Sequence, residues 1–327
     1  ARIRERILAF LQGRTTKNTS WPPLAEERIT AFPRSRALLK VQDGCNVGCS
    51  FCRTWLVRGP LRSKPPHVAR QEAATLAQHH REIVLVGINL AQYGHDLPEQ
   101  PSLVDLLQEL LRVPGVRYRL TSLNPEGVTD ELVDLFARES RLCPYFHLPL
   151  QSGDAGVLRA MGRPYTPEEY RERARRFLSR VPKATLGADV MVGFPGEDER
   201  AFERTLALLE ELTPLNLHIF RFSPRPGTRA AKLPRQVPAQ VKARRAAELA
   251  RQATGWRQQA ASRFLNSTLQ VLLEQREDHR WLGHAENYLL VELTSSLGQR
   301  GTIVPVLVRQ VVEGRGMGVI ADSQEDL

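Results

Sequence analysis

Along most of the chain, apolar runs of four to eight residues alternate with longer stretches whose apolar positions recur every three to four residues. The short runs read as strands and the longer ones as amphipathic helices. Arg36–Gln42 (RALLKVQ) is the first such run. Helix Val68–His80 then precedes strand Glu82–Val86, and helix Leu103–Arg112 precedes strand Tyr118–Thr121. Helix Asp130–Glu139, with Thr129 placed as its N-cap, precedes a strand in Tyr145–Leu150. Helix Glu168–Arg180 precedes strand Thr185–Val192, and helix Glu199–Leu212 precedes strand Asn216–Phe220. Such alternation predicts βα units around a parallel sheet. About six units fit, which suits an open, partial (β/α)6 barrel better than a closed eight-fold one.

After Pro238 the pattern changes. Gln240–Phe264 is one long Arg/Ala/Gln-rich helical stretch. Short strand-like runs follow at Thr268–Leu273, Trp281–Ala285, Leu289–Leu293, Gly301–Val312 and Met317–Ile320, predicting a small antiparallel β-barrel. Four segments result: a short helix over residues 3–12 and a linker (1–35), the βα domain (36–237), a basic connecting helix (238–263) and the small barrel (264–327).

The loops add a functional hint. In parallel sheets ligands sit at the carboxyl ends of the strands. The polar, Gly/Pro-rich segments fall there: Gly44–Cys52, Gly87-Ile88-Asn89, Gln151-Ser152-Gly153, Gly193–Glu197 and Ser223–Thr228. One shared site is the simplest reading.

Charge is unevenly spread. The net +10 divides into +10 over residues 1–70, −5 over 71–224, +8 over 225–262 and −3 over 263–327. The two basic blocks would attract a polyanion such as RNA. Arg58, Arg62 and Lys64 beside the cysteines, and Arg244 and Arg245 on the long helix, are the candidate phosphate contacts. No apolar run approaches a membrane span, and the apolar stretch Ile7–Leu11 is too short for a signal sequence, so no membrane association is expected. Four cysteines, three of them clustered, suit a reducing cytoplasm rather than a disulfide framework.

Those three cysteines, Cys45, Cys49 and Cys52, stand in C-x3-C-x2-C spacing. A structural zinc site would need a second cysteine or histidine pair downstream, and none follows at zinc-finger spacing. A redox C-x-x-C would leave Cys45 unexplained. A [4Fe-4S] cube with three protein thiolates leaves one iron open to a cofactor, and S-adenosylmethionine can chelate it. With aromatic Phe51 before the last cysteine, the loop resembles the radical-SAM superfamily signature.

The resemblance narrows with VQDGCNVGCSFC-x5-RG-x2-RSKP, VGIN-x3-YG, LCPYFHLPLQSG, DVMVGFPGE and FSPRPGT, which are similar to the methylthiotransferases over about Arg36–Thr228. The trailing barrel resembles their RNA-binding TRAM domain. The family adds a methylthio group to an adenosine beside the tRNA anticodon or to a ribosomal-protein aspartate. Gly87-Ile88-Asn89, Tyr93-Gly94 and Cys143-Pro144 most resemble the subtype acting on carbon 2 of N6-threonylcarbamoyladenosine. The resemblance implies that Cys45, Cys49 and Cys52 ligate one [4Fe-4S] cluster. It sets Phe51 against the adenine of S-adenosylmethionine and Gly87, Ile88 and Asn89 beside its methionyl amino group. Gln151 and Ser152 would face the mouth, with Asp189, Arg221 and Ser223 as further cofactor or substrate contacts. Asp189 reads equally well as a structural acceptor. Cys143, His147 and His218 are read as packed or hydrogen-bonded residues. The implied partners are tRNA and a reductant such as flavodoxin or ferredoxin.

Family members carry an N-terminal domain holding a second, sulfur-donating cluster. The chain begins at Ala1 with no cysteine before Cys45, so it is expected to be a piece lacking that domain and, alone, its sulfur source. Two other readings remain open: a ribosomal-protein methylthiotransferase, and a catalytically incomplete RNA-binding protein.

Overall fold

The chain is described from a computed structural model covering residues 23–26, 28–295 and 298–321. The helix expected over residues 3–12 lies outside them. Strand β1 (Arg36–Lys40) runs into a two-residue ribbon, β2 (Gln42–Asp43) paired antiparallel with β3 (Arg62–Ser63). The ribbon ties the two ends of the cysteine loop together. Strands β4 (Glu82–Val86), β5 (Arg117–Leu120), β6 (Tyr145–His147), β7 (Thr185–Val192) and β8 (Asn216–Arg221) follow. Parallel pairing runs β1-β4-β5 and β6-β7-β8, and the parallel bridges Tyr118–Leu142 and Ser122–His147 join the two sheets. The result is the open arc of six parallel strands that the alternation predicts.

Between Cys52 and β3 lies helix α1 (Thr54–Arg58). The helices α2 (Pro66–Ala77), α3 (Leu103–Leu110), α4 (Asp130–Arg138), α5 (Ala155–Met161), α6 (Pro167–Arg180) and α7 (Glu199–Leu212) come in turn between the strands. The buried positions Leu103, Leu106, Leu107 and Leu110 of α3 form one stripe against the core. Each such side chain contributes roughly 1.5–3 kcal/mol by leaving water. Reciprocal Ser102 and Asp105 hydrogen bonds fix the start of α3, and Thr166 with Glu169 does the same for α6. Thr129 caps α4 as expected.

Strand period 2 sorts β7 into two faces. Leu186, Ala188, Val190 and Val192 are buried in the helix-covered core, which leaves Gly187, Asp189 and Met191 to the concave interior. Expected β6 is shorter than Tyr145–Leu150 because Pro149 has no N–H to pair and Gln151 turns to φ 65°. Helices α1 and α5 were not legible in the periodicity.

The 24-residue α8 (Ala239–Ser262) is a spine shared by two cores. Leu249, Ala253 and Trp256 belong to the first core, and Ala260 and Ala261 to the second. Strands β9 (Thr268–Glu277), β10 (Arg280–Ala285), β11 (Leu290–Thr294), β12 (Ile303–Val312) and β13 (Arg315–Ile320) close a barrel in the order 10-11-13-12-9, antiparallel as expected except where β11 and β13 pair parallel to complete the closure.

This barrel plugs the amino-terminal end of the arc. Glu82 is fully buried between Arg117 and Arg119, and both guanidiniums reach onward to barrel carbonyls. Arg117 donates to Gln270 O and His284 O, and Arg119 to Ala285 O and Glu286 O. Tyr288 stacks on Tyr145 at 4.6 Å. Burial alone would raise the Glu82 carboxyl, but the charges of Arg119 and Arg117 hold it well below the usual 4.5. The carboxyl ends of the strands, with the cysteine loop, lie at the opposite end of the arc.

Candidate active site

The cysteine loop caps that open end. Gly44 turns the chain at φ 72°, and a Cβ there would lie 1.9 Å from Pro60 O, so only glycine lets the two ends of the loop meet. Gln42 does most of the joining. Its buried amide donates to Asp43 O and Gly44 O, and its Oε1 accepts from the backbones of Ile88 at 2.6 Å and Asn89 at 3.0 Å. Asn46 accepts from Leu61 N, and its own N–H goes to Gln92.

The loop is also held from the far side of the barrel. Ser50 N–H donates to Met161 O, its hydroxyl to Ala160 O, and Ala230 N–H donates to Ser50 O. Arg229 donates to Gly48 O at 2.8 Å. Thus α5 and the Arg229-Ala230 step that follows the Ser223–Thr228 turn, far apart in sequence, both clamp the cysteine loop. An aromatic line carries the contact to the ends of β7 and β8: Phe51 meets Phe194 edge-on at 6.4 Å, and Phe194 meets Phe222 at 5.3 Å.

All four cysteines are free thiols. Cys49, Cys52, Trp55, Gly227, Thr228 and Arg229 border a cavity of about 400 Å³. Cys45 and Trp55 border an adjoining one of about 380 Å³. Each clustered sulfur receives an N–H. Thr54 N–H donates to Cys52 Sγ and Arg163 Nη1 to Cys49 Sγ, both at 3.3 Å, and Val47 N–H donates to Cys45. Burial raises the Cys45 thiol, and the nearby charges of Cys49 and Cys52 raise it further. Three convergent sulfurs, each with an N–H donor, beside an open cavity fit a cluster with one exposed position.

Arg163 went unnoticed in the sequence. Its Nη2 donates to Asn124 Oδ1 at 2.7 Å and its Nε to Tyr165 Oη at 2.9 Å, so its cation is fixed at Cys49. Nothing in the Met-Gly-Arg run after a short helix marks it.

The other expected residues divide. Gly87, Ile88 and Asn89 do lie at the mouth, but the Ile88 and Asn89 N–H groups are taken by Gln42. Asn89 Oδ1 accepts from Ala91 N and Asn124 N, tying the turns after β4 and β5. Gln151 stays at the mouth, its main chain bridged to Asp189 O and Met191 N. Ser152 is a correction: it is buried beside Thr205 and accepts from Asp154 N, so it faces α7 instead of the mouth. Arg221 and Ser223 are exposed at the end of β8. Asp189 faces the interior, midway along β7, between His147 and His218.

Among the basic candidates, Lys64 is a correction. Its ammonium is buried against Glu72 and is closed to RNA phosphate. Arg245 is another: it is buried and bound to Glu197, which also accepts from Gly193 N, so it braces the GFPGE turn. Arg58 and Arg62 converge on buried Asp43 at 3.1 and 3.2 Å. Arg244 stays exposed while pairing with Glu199.

The Radical SAM superfamily profile matches residues 39–209, spanning the cysteine loop and most of the arc. A Bacillus subtilis protein, "Threonylcarbamoyladenosine tRNA methylthiotransferase MtaB", is 34% identical over 308 residues, covering 90% of this chain and 68% of that protein. The chain belongs to the radical-SAM methylthiotransferase family. The like-named Thermotoga maritima protein is 42% identical over 215 residues, covering 65% of this chain. The chain spans about half the length of that relative, since the match covers 49% of it. Among solved structures, Escherichia coli coproporphyrinogen III oxidase shares the fold with a TM-score of 0.51 at 14% identity, over 85% of this chain and 75% of that one. The small closed barrel after α8 is consistent with the TRAM domain of this family.

Proposed function

We propose that the chain carries the radical-SAM and TRAM parts of a tRNA methylthiotransferase acting on carbon 2 of N6-threonylcarbamoyladenosine. The observation that carries this reading is the meeting of Cys45, Cys49 and Cys52 at the open end of a barrel whose other end is plugged. Cys45, Cys49 and Cys52 would hold one [4Fe-4S] cluster, with S-adenosylmethionine on its open iron. When bound, that pair supplies reductive cleavage of the sulfonium and a radical able to abstract hydrogen.

The protein's own residues shape that chemistry. Gln42 fixes the cysteine loop against the end of β4, and Arg163 holds positive charge at Cys49. The plug built on Glu82, Arg117, Arg119 and Tyr288 keeps the interior from opening through to solvent at its base. Phe220, half exposed on β8, offers an aromatic surface on which a splayed-out base can stack. The solvent face of α8, with Arg244 and Arg251 more than 60% exposed, would meet the RNA backbone. A low-potential donor such as flavodoxin or ferredoxin would supply the electron, in the cytoplasm where tRNA resides. Cys143 is buried beside Arg119 and Glu82, its thiol pushed up to about 11, and takes no part in ligation.

The test is mass spectrometry of digested tRNA and of ribosomal proteins from a strain lacking the gene. Loss of the 2-methylthio mark from N6-threonylcarbamoyladenosine alone is expected. Its loss from another nucleoside, or from a ribosomal-protein aspartate, would replace this reading.

A further inference from the structure

His147 and His218, read from the sequence as packed residues, and Asp189, read as either a cofactor contact or a structural acceptor, come together inside the arc. His147 on β6, Asp189 on β7 and His218 on β8 project from three adjacent strands into the concave interior. His147 Nε2 lies 2.8 Å from Asp189 Oδ1, and His218 Nδ1 lies 3.0 Å from the same oxygen. One ligand atom from each residue lies within 4.8 Å of the other two. We propose that His147, Asp189 and His218 form a binding site for a divalent transition-metal ion of the zinc/ferrous class, separate from the cysteine cluster.

The donor spacing supports this. Two ligands each about 2.0–2.2 Å from one ion, at tetrahedral or octahedral angles, stand roughly 3.0–3.5 Å from each other. The two His–Asp separations, 2.8 and 3.0 Å, need only a few tenths of an ångström of opening. Two imidazoles and one carboxylate are the donor set of open three-ligand sites, and such nitrogen-rich sets select zinc or ferrous ions over magnesium or calcium.

The scaffold is rigid, as a metal site requires. Asp189 and His218 are register partners on β7 and β8, and His147 is the register partner of Gly187, one interior position below Asp189. Gly187 makes the arrangement possible. A Cβ there would lie 2.0 Å from Tyr145 Oη and 2.6 Å from His147 Nδ1. In the space left, Tyr145 Oη sits 3.2 Å from His147 Nδ1, an outer partner that orients the ring and leaves Nε2 for the ion. The two imidazoles are 4.9 Å apart between centroids.

One side of the triad is open. The His218 side chain is 60% exposed, Asp189 20% and His147 12%, so solvent reaches the triad from the His218 side. A metal here would take the place of the hydrogen bonds that His147 and His218 now make to Asp189 Oδ1.

The experiment uses the anaerobically reconstituted protein, dialysed to equilibrium against low-micromolar Zn²⁺ and then analysed for zinc, iron and sulfide. Asp189→Asn, which keeps the shape, and His218→Ala, on the exposed side, should each bind about one zinc equivalent less than the parent at unchanged iron and sulfide. A His67→Ala variant, outside the triad, should match the parent. Equal zinc in the parent and the two triad variants would overturn the proposal and leave a purely hydrogen-bonded triad.

Discussion

Arg163 places its guanidinium 3.3 Å from Cys49 Sγ while Asn124 and Tyr165 hold its other nitrogens. A fixed cation donating to a ligating thiolate favours the more negative, reduced state of whatever metal centre that thiolate serves. Arg163→Gln should leave iron content unchanged but lower the fraction reduced at a fixed ambient potential several-fold. Spectroscopically monitored redox titration without S-adenosylmethionine checks this, and an unshifted titration would remove Arg163 from any role in tuning.

Gln42 joins the cysteine loop to the turn after β4 through four hydrogen bonds. Gln42→Ala would strand the Ile88 and Asn89 N–H groups in a buried place, at about 1–3 kcal/mol for each group left unsatisfied. A lower denaturant midpoint and slower, less complete iron uptake are expected. Gln42→Glu keeps the acceptor but turns the Asp43 and Gly44 contacts repulsive, so it should rescue neither.

The plug predicts an acid limb of stability. Glu82 titrates below its usual 4.5 in the fold, as do Asp43 and Asp189 below their usual 3.8. For a depressed carboxyl, the stabilisation is complete above the unfolded value and disappears as pH falls through the folded one. Denaturation midpoints should therefore hold steady down to about pH 5 and fall progressively below about 4.5. Glu82→Gln leaves two buried guanidiniums uncompensated. It should cost about 3–5 kcal/mol at neutral pH and flatten that limb.

On the RNA side, exposed and buried cations should behave differently. Replacing Arg244 and Arg251 with alanine should weaken tRNA binding and reduce the slope of log affinity against log salt, by roughly one for each phosphate no longer neutralised. Lys64→Ala should instead lower stability, because it leaves Glu72 buried without its ion pair. Filter-binding titrations across a salt series distinguish the two effects.

What the sequence revealed was local or strictly patterned. Strand Thr185–Val192 and helix Glu199–Leu212 fall where the apolar period places them, because each buries one continuous face. The cysteine spacing is a local motif and was legible for the same reason. Helix α5 was missed because its seven residues make too few turns to show a period, although Asp154 caps it. The contacts that finish the site were illegible: Gln42 reaches Ile88 and Arg163 reaches Cys49 only once the strands of the arc pair. Charge misled at Lys64 and Arg245, since a basic residue near a basic loop reads as surface until its buried carboxylate partner is seen. His147, Asp189 and His218 are far apart in sequence and become neighbours only through strand pairing.

On this reading Cys45, Cys49 and Cys52 together hold one iron–sulfur cluster able to engage S-adenosylmethionine. Anaerobic reconstitution followed by iron, sulfide and zinc analysis, with 5′-deoxyadenosine measured after adding reductant and S-adenosylmethionine, tests it directly. About four irons and four sulfides per chain are expected, with 5′-deoxyadenosine formed, and Cys49→Ala should abolish both. Zinc in place of iron, or undiminished 5′-deoxyadenosine from Cys49→Ala, would contradict the assignment.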